Sequence, residues 1–183
     1  MSQRIQISKN TVVIKWRCYF EGAKFTRSGW DFKKTMKAGI KCNWNGFYKV
    51  KGISNVRVRV LIMESKKGSR VGMYAFAGIS SVVAIPMWSR KNPGTMSMFD
   101  GDRRASTRQN HKETLGDFKI TAAHEFGHIL GIKDGYNGYM TKYINSIMCD
   151  PYAERNGSKR ASEKDIEKAL EAYRTNKMQV WYN

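Results

Sequence analysis

His124-Glu125-Phe126-Gly127-His128 sets two imidazoles four residues apart, the spacing at which a helix stacks side chains on one face, so both rings can reach one metal ion. Two of the chain's three histidines fall in these five residues. A third ligand from the next helical turn would be crowded. Gly131 removes that difficulty, because a residue without Cβ can take the left-handed conformation, turn the chain sharply and let Asp134 come back to the same ion. Three protein ligands leave a fourth position for water, the pattern of a catalytic zinc rather than a closed structural one. Zinc in such a site polarises a carbonyl and makes water a usable nucleophile near neutral pH. Glu125, beside the first histidine, is the general base expected to take that water's proton and to return it to the leaving amine. The His-Glu-x-x-His run alone would arise by chance in roughly one chain in a hundred of this length, and adding Gly131 and Asp134 lowers that to well under about one in a thousand. The expectation is one catalytic Zn2+ on His124, His128 and Asp134.

These residues need a helix, and the sequence predicts one. From about Lys112 onward Leu115, Phe118, Ala122, Ala123, Phe126 and Leu130 fall on one helical face, and Gly131 sits where a helix would stop. Earlier, Thr11 to Phe20 alternates Val12, Ile14, Trp16, Cys18 and Phe20 with more polar neighbours, the period of a strand with one buried face. Ser28 with Asp31 resembles a capping box ahead of Phe32, Met36, Ile40 and Trp44, a helix that ends at Asn45-Gly46. Asn55 to Met63 alternates again, and Ser81 to Ile85 is a short apolar run closed by Pro86; both read as strands, with Met73–Ala77 and Thr95–Phe99 as weaker candidates. A loop rich in Gly, Tyr and Asn follows the histidine helix. Ser162 with Asp165 then opens a last helix with Ile166, Ala169, Leu170 and Tyr173 inward.

At 183 residues and 41% hydrophobic, the chain predicts one globular unit, 1–183, with a basic strand-and-helix part over 1–111 and the chemistry over 112–183. The net charge of +18 is uneven: residues 1–99 carry 19 Lys or Arg against 3 acidic residues, and 100–183 carry 14 against 12. A basic field of this kind attracts nucleic acid, anionic membrane or an acidic protein. No apolar run is long enough for a transmembrane segment, and the first ten residues lack the apolar centre of a signal peptide. The expected location is therefore the cytoplasm, or delivery by a specialised non-classical route. Cys18, Cys42 and Cys149 are widely spaced and odd in number, which predicts free thiols. His111 reads as a solvated loop histidine.

The stretch from His124 to Asp134 resembles the extended zinc-binding consensus of the metzincin metallopeptidases, in the variant with aspartate as third ligand found in snapalysin-like bacterial peptidases. The resemblance extends to Tyr136, two residues past Asp134, and to Asn145-Ser146-Ile147-Met148, which is similar to the Met-turn in which a methionine underlies the zinc site. It implies an α+β, zincin-like fold: a mixed twisted sheet with an N-terminal helix, an active-site helix, a Met-turn around Met148 and a C-terminal helix. Many metzincins place a tyrosine two residues after the Met-turn methionine. Here Asp150 stands at that position, and the oxyanion donor is left open between Tyr136 and Tyr152.

The function that follows is zinc-dependent endopeptidase on a protein or peptide substrate, the peptide lying extended along an exposed sheet edge near Thr95–Phe99. The alternative is a basic binding module for nucleic acid or an acidic protein, with structural zinc only. A compact basic peptidase of this size is also similar to delivered bacterial toxin domains, which implies an acidic immunity or inhibitor protein as partner.

Overall fold

The computed structural model describes residues 3–22, 24–26, 29–74, 82–84, 88–99, 103–104, 110–111, 114–135, 146–149 and 160–181. The α+β architecture implied by the sequence is present. Strands β1 (Gln3–Ser8), β2 (Thr11–Gly22), β3 (Gly46–Val50), β4 (Ser54–Glu64), β5 (Ser69–Tyr74), β6 (Val82–Ala84) and β7 (Thr95–Phe99) form one mixed sheet, and β8 (Arg103–Arg104) pairs with β9 (Asn110–His111) in a separate ribbon. The helices are α1 (Phe32–Trp44), α2 (Leu115–Ile129) and α3 (Glu163–Thr175). None of them is long and apolar enough to cross a membrane.

The long β2 organises the sheet. One edge pairs in parallel with β4; the other is shared, its first half by the antiparallel β1 and its second by the parallel β5. The order then runs β5, β7, β6, with β3 closing the opposite end beside β4. The even residues Val12, Ile14, Trp16 and Cys18 of β2, and Val56, Val58 and Val60 of β4, are buried, so one face of the sheet carries the core.

Helix α1 begins at Asp31, whose carboxylate accepts from the Lys34 backbone N–H at 2.8 Å. Asp31 is thus the N-cap itself and not the fourth residue of a box begun by Ser28, which lies outside the described residues. The four-residue recurrence is otherwise as read: Phe32, Met36, Ile40 and Trp44 are buried. Helix α2 is capped reciprocally by Thr114 and Asp117, and α3 by Ser162 and Asp165. Phe126 of α2 meets Trp16 of the sheet at 5.2 Å and Trp44 of α1 at 5.7 Å between ring centroids. The Trp44 indole N–H donates to the Ala123 carbonyl at 2.8 Å and the Trp16 indole N–H to Ser69 Oγ at 3.2 Å, so this aromatic cluster also satisfies both of its polar atoms.

Four expectations change. Leu115 is exposed, because the core-facing stripe of α2 begins only at Phe118. The strand expected over Met73–Ala77 is β5, starting at Ser69, since Val71 is the residue that faces the core beside Phe20. His111 belongs to a paired strand rather than a loop. Strand β7 is flanked by β5 and β6 and is not an edge; among the described residues β6 is the terminal strand on that side.

Two strands had no clear signal. In β1 the inward face is Gln3 and Ile5 while Ile7 is exposed, and in β3 the exposed Phe47 sits next to the buried Tyr48, so neither shows apolar alternation.

The α1–α2 crossing is close enough to require glycine: a Cβ on Gly39 would stand 2.5 Å from the Lys119 carbonyl oxygen and 2.7 Å from its Cα. Backbone cannot swing aside as a side chain can. Gly39→Ala should therefore destabilise the protein by about 1–3 kcal/mol. Gly116→Ala, where the new atom meets only Thr114 Oγ1 at 3.5 Å, should be neutral or stabilising by up to about 1 kcal/mol. Denaturant titration of the pair checks this, and equal midpoints would refute the contact.

The cysteines separate as well. Burial pushes the Cys18 thiol up to about 12 and the Cys149 thiol up to about 11, while Cys42 is exposed. A thiol reagent at mildly alkaline pH should modify one cysteine quickly and the other two only after unfolding. Three fast thiols would contradict the packing.

Candidate metal centre

Helix α2 carries both histidines on one side, their rings 5.0 Å apart and nearly perpendicular. Each ring is fixed by its Nδ1, which lies 2.8 Å from the Ile147 carbonyl in His124 and 2.7 Å from the Ile132 carbonyl in His128. A carbonyl only accepts, so each Nδ1 carries a proton, and once Nε2 is deprotonated its lone pair is the one available to a metal. Both Nε2 atoms point to one place. Asp134 Oδ1 stands there, 3.1 Å from His124 Nε2 and 3.2 Å from His128 Nε2, and the three ligand atoms all lie within 4.8 Å of one another.

Two ligands of a tetrahedral zinc at ~2.0–2.1 Å are ~3.3 Å apart, so the two Nε2–Oδ1 spacings and the donor set suit a zinc ion. The Asp134 side chain is 42% exposed and the histidines 14%, so the cluster is open on the carboxylate's side. That leaves room for water or a substrate group.

The turn that returns Asp134 is built from backbone. Gly131 has φ +88°, and its N–H donates to the His128 carbonyl while Ile132 N–H donates to Gly127. The loop is then pinned from two directions: Lys133 N–H donates to Gln179 and Gln179 N–H to Gly131, and Gly135 N–H donates to the Met148 carbonyl at 2.8 Å. Met148 is fully buried beneath the helix, where a Cβ on Gly127 would collide with its sulfur at 2.1 Å. Ser146 holds this segment to α3. Its hydroxyl donates to the Asp165 carboxylate at 2.8 Å and accepts from Met148 N–H at 3.0 Å.

His124, His128 and Asp134 are brought together; Gly131 and Met148 shape the turn and the floor. Glu125 is buried, one residue on from His124 on the same helix. Tyr136 and Tyr152 lie outside the described residues.

Sequence reading missed four contributors. Trp88 packs its ring where a Cβ on Gly131 would stand, at 2.5 Å, and its indole N–H donates to the Ile129 carbonyl at 3.0 Å, satisfying an orphan group at the helix end. Gln179 and the carbonyls of Ile132 and Ile147 act through the backbone, which leaves no side-chain signature. An isolated tryptophan just after Pro86 was the one available signal.

Charge within the cluster favours ionised partners. Burial opposes a charged imidazole at His124, but the hydrogen bond to Asp134, the Glu125 charge and the Ile147 carbonyl outweigh it and raise its pKa. Burial likewise opposes ionisation of Asp134, yet hydrogen bonds from His124 and His128 hold its carboxyl well below the usual range.

Compared with known proteins, residues 46–174 match the sequence pattern of the matrixin family. Two solved structures of myroilysin resemble the fold, a crystal structure at 18% identity and a second structure at 19%. The alignments cover 96% and 97% of this chain but 72% and 64% of those chains, with TM-scores of 0.36 and 0.37. No curated protein matches.

Because His124 must lose its proton to bind metal and that proton is held more tightly than in a free histidine, zinc affinity should fall on acidification, beginning above pH 6.5, the ordinary value. Competition with a chromophoric chelator across this range measures it. Affinity that stays flat well below that pH would exclude the histidine ligands.

Proposed function

This chain belongs to the matrixin family and is a zinc metallopeptidase, and from that premise we propose that it is an endopeptidase holding its ion with His124, His128 and Asp134 and using Glu125 as general base. The observation that supports the ligand assignment is the convergence of two Nε2 atoms on one carboxylate oxygen, at 3.1 and 3.2 Å, with all three within 4.8 Å of one another.

Zinc, when bound, supplies Lewis-acid polarisation of the scissile carbonyl and a water of lowered pKa. The chain's own residues supply the rest. The Ile147 and Ile132 carbonyls accept from the Nδ1 side of each ring and so orient both Nε2 atoms toward the ion's position. Glu125 takes one proton from the attacking water as the new C–O bond forms and passes it to the amide nitrogen as the C–N bond breaks, so no net proton is consumed within the site. Glu125 is buried, one residue from His124 on the same helix, which shields the shuttle from bulk water. Tyr136 or Tyr152 is the proposed donor to the oxyanion.

Strand β6, terminal on its side of the sheet among the described residues, packs against α2, and we propose that an extended substrate pairs with it and so runs near the zinc ligands. The whole chain acts as one unit, since α1 from the basic part packs on α2 from the chemical part. On charge and size alone the reading extends to a delivered toxin with an acidic immunity protein.

Glu125→Gln tests the mechanism. The variant should keep about one zinc per chain by elemental analysis and lose about 10²–10⁴-fold in hydrolysis of a generic protein substrate. Chelator should abolish the wild-type activity and added zinc restore it. Unchanged turnover in the variant would remove Glu125 from the mechanism; loss of zinc would assign it a structural role.

A further inference from the structure

The face of the sheet opposite the helices carries a second feature. The odd residues of β2 and β4 point away from the core, and those of β1, β3 and β5 in register with them share that face. Its cations form a file. Lys49 of β3 is opposite Asn55 of β4; Arg57 and Arg59 follow along β4; Arg59 is opposite Val13 of β2, and Lys15 and Arg17 follow along β2; Tyr19 comes next, opposite Arg70 of β5. Each step advances two residues, ~6.7 Å, and the file shifts one strand at a time, crossing four strands over on the order of 35 Å. Arg4 of β1 stands beside Lys15. The cations are exposed except Lys15, which like Tyr19 is half-buried. Among the described strand residues the acid on this face is Glu21, which pairs with Arg70 at 3.3 Å at one end of the file; at the other, Glu163 of α3 accepts from the Lys49 backbone N–H at 3.1 Å.

Aromatic rings accompany the cations. Phe47, 78% exposed, lies across from Arg57, whose guanidinium is 5.9 Å from the ring centroid, and Tyr19 sits between Arg17 and Arg70.

We propose that this diagonal file binds single-stranded nucleic acid, its cations tracking one phosphate backbone and Phe47 and Tyr19 offering faces on which bases stack. The shape selects the occupant. A duplex presents two backbones around a cylinder, and a membrane meets a protein over an area, whereas a single row of cations on a flat sheet matches one chain of phosphates. The step is about twice the ~3.4 Å per nucleotide of a stacked strand, which suits an unstacked one whose bases are free to turn onto aromatic rings. A sulfated glycan would satisfy the charges but has no use for an almost fully exposed phenylalanine. The helices and the metal cluster lie on the other face, so bound nucleic acid leaves the peptidase centre open and would hold the enzyme near nucleic-acid-associated substrates. The inference is independent of the assignment of Glu125 and the zinc ligands.

Fluorescence anisotropy with a labelled oligothymidylate of about twelve nucleotides, between about 50 and 200 mM salt, tests it on the full chain. Arg57→Gln with Arg59→Gln should weaken binding at least about tenfold and lower the salt slope by about 1.4. Phe47→Ala should weaken it about fivefold or more. A control with the same loss of charge away from the file, Lys34→Gln on α1 with Lys177→Gln just past α3, should stay within about twofold of wild type. If the β4 pair fails to fold, Lys15→Gln with Arg17→Gln replaces it. Equal losses in file and control variants would reduce the effect to net charge. Absence of binding at the lowest salt, tighter binding of the matching duplex, or a heparin fragment that binds as tightly and ignores Phe47→Ala would each overturn the proposal.

Discussion

Two imidazoles four residues apart on α2 present their Nε2 atoms in the same direction, and a carboxylate can reach the point between them only if the helix ends within a turn and the chain doubles back. That geometry forces the left-handed backbone at Gly131. The conformation disfavours any side chain, and the space a side chain would need is already filled by the Trp88 ring. The reversal is therefore enforced twice, by backbone sterics and by packing. A metal site depends on such enforcement because a donor displaced by even a fraction of an ångström loses much of its bond.

The rest of the C-terminal half is arranged around that turn. Gly127 gives way to Met148 and Gly135 to Cys149 and Trp181, so large side chains are let in from below and behind wherever the motif has a glycine. Hydrogen bonding continues the pattern. Asp165 closes the capping box of α3 and also accepts from Ser146, which in turn accepts from Met148 N–H. Its burial raises the carboxyl's pKa, yet Ser162 and Ser146 surround it with donors, so the desolvation cost is offset locally rather than left unpaired. Through that one side chain the start of a helix and the floor of the metal centre become a single packed unit.

The parts of this arrangement that were legible in the sequence are those carried by side chains with a period or a motif. Phe32, Met36, Ile40 and Trp44 announced α1, and the Thr114 and Ser162 helices followed from apolar spacing and, for α3, its cap. The candidate ligand cluster was legible because His, His and Asp have few other reasons to occur at those distances around a glycine. What stayed hidden was backbone work. The carbonyls of Ile132 and Ile147, the ladder of Gln179 with Gly131 and Lys133, and the edge position of β6 depend on where distant segments meet, which no local pattern encodes. Strands β1 and β3 were hidden for another reason: each presents an apolar residue, Ile7 or Phe47, to solvent and so breaks the alternation by which strands are recognised.

The same alternation explains how the sheet tolerates its charge. Like charges directly opposite each other on neighbouring strands are destabilising. The register avoids this almost everywhere: Arg57 faces Thr11, Arg59 faces Val13, Leu61 faces Lys15, Met63 faces Arg17, Asn55 faces Lys49, and Tyr19 faces Arg70. Arg4 opposite Lys15 is the exception. Staggering puts most neighbouring cations ~6.7 Å or more apart, close to the screening length of about 8 Å in physiological salt, so mutual repulsion costs little while their combined field remains directional. A sheet under pressure only to be soluble could scatter its charges or mix their signs. Here one sign is drawn into a file with aromatic rings beside it, and the odd residues of β2 and β4 bear that pattern while their even residues build the core that holds α2 and its histidines in place.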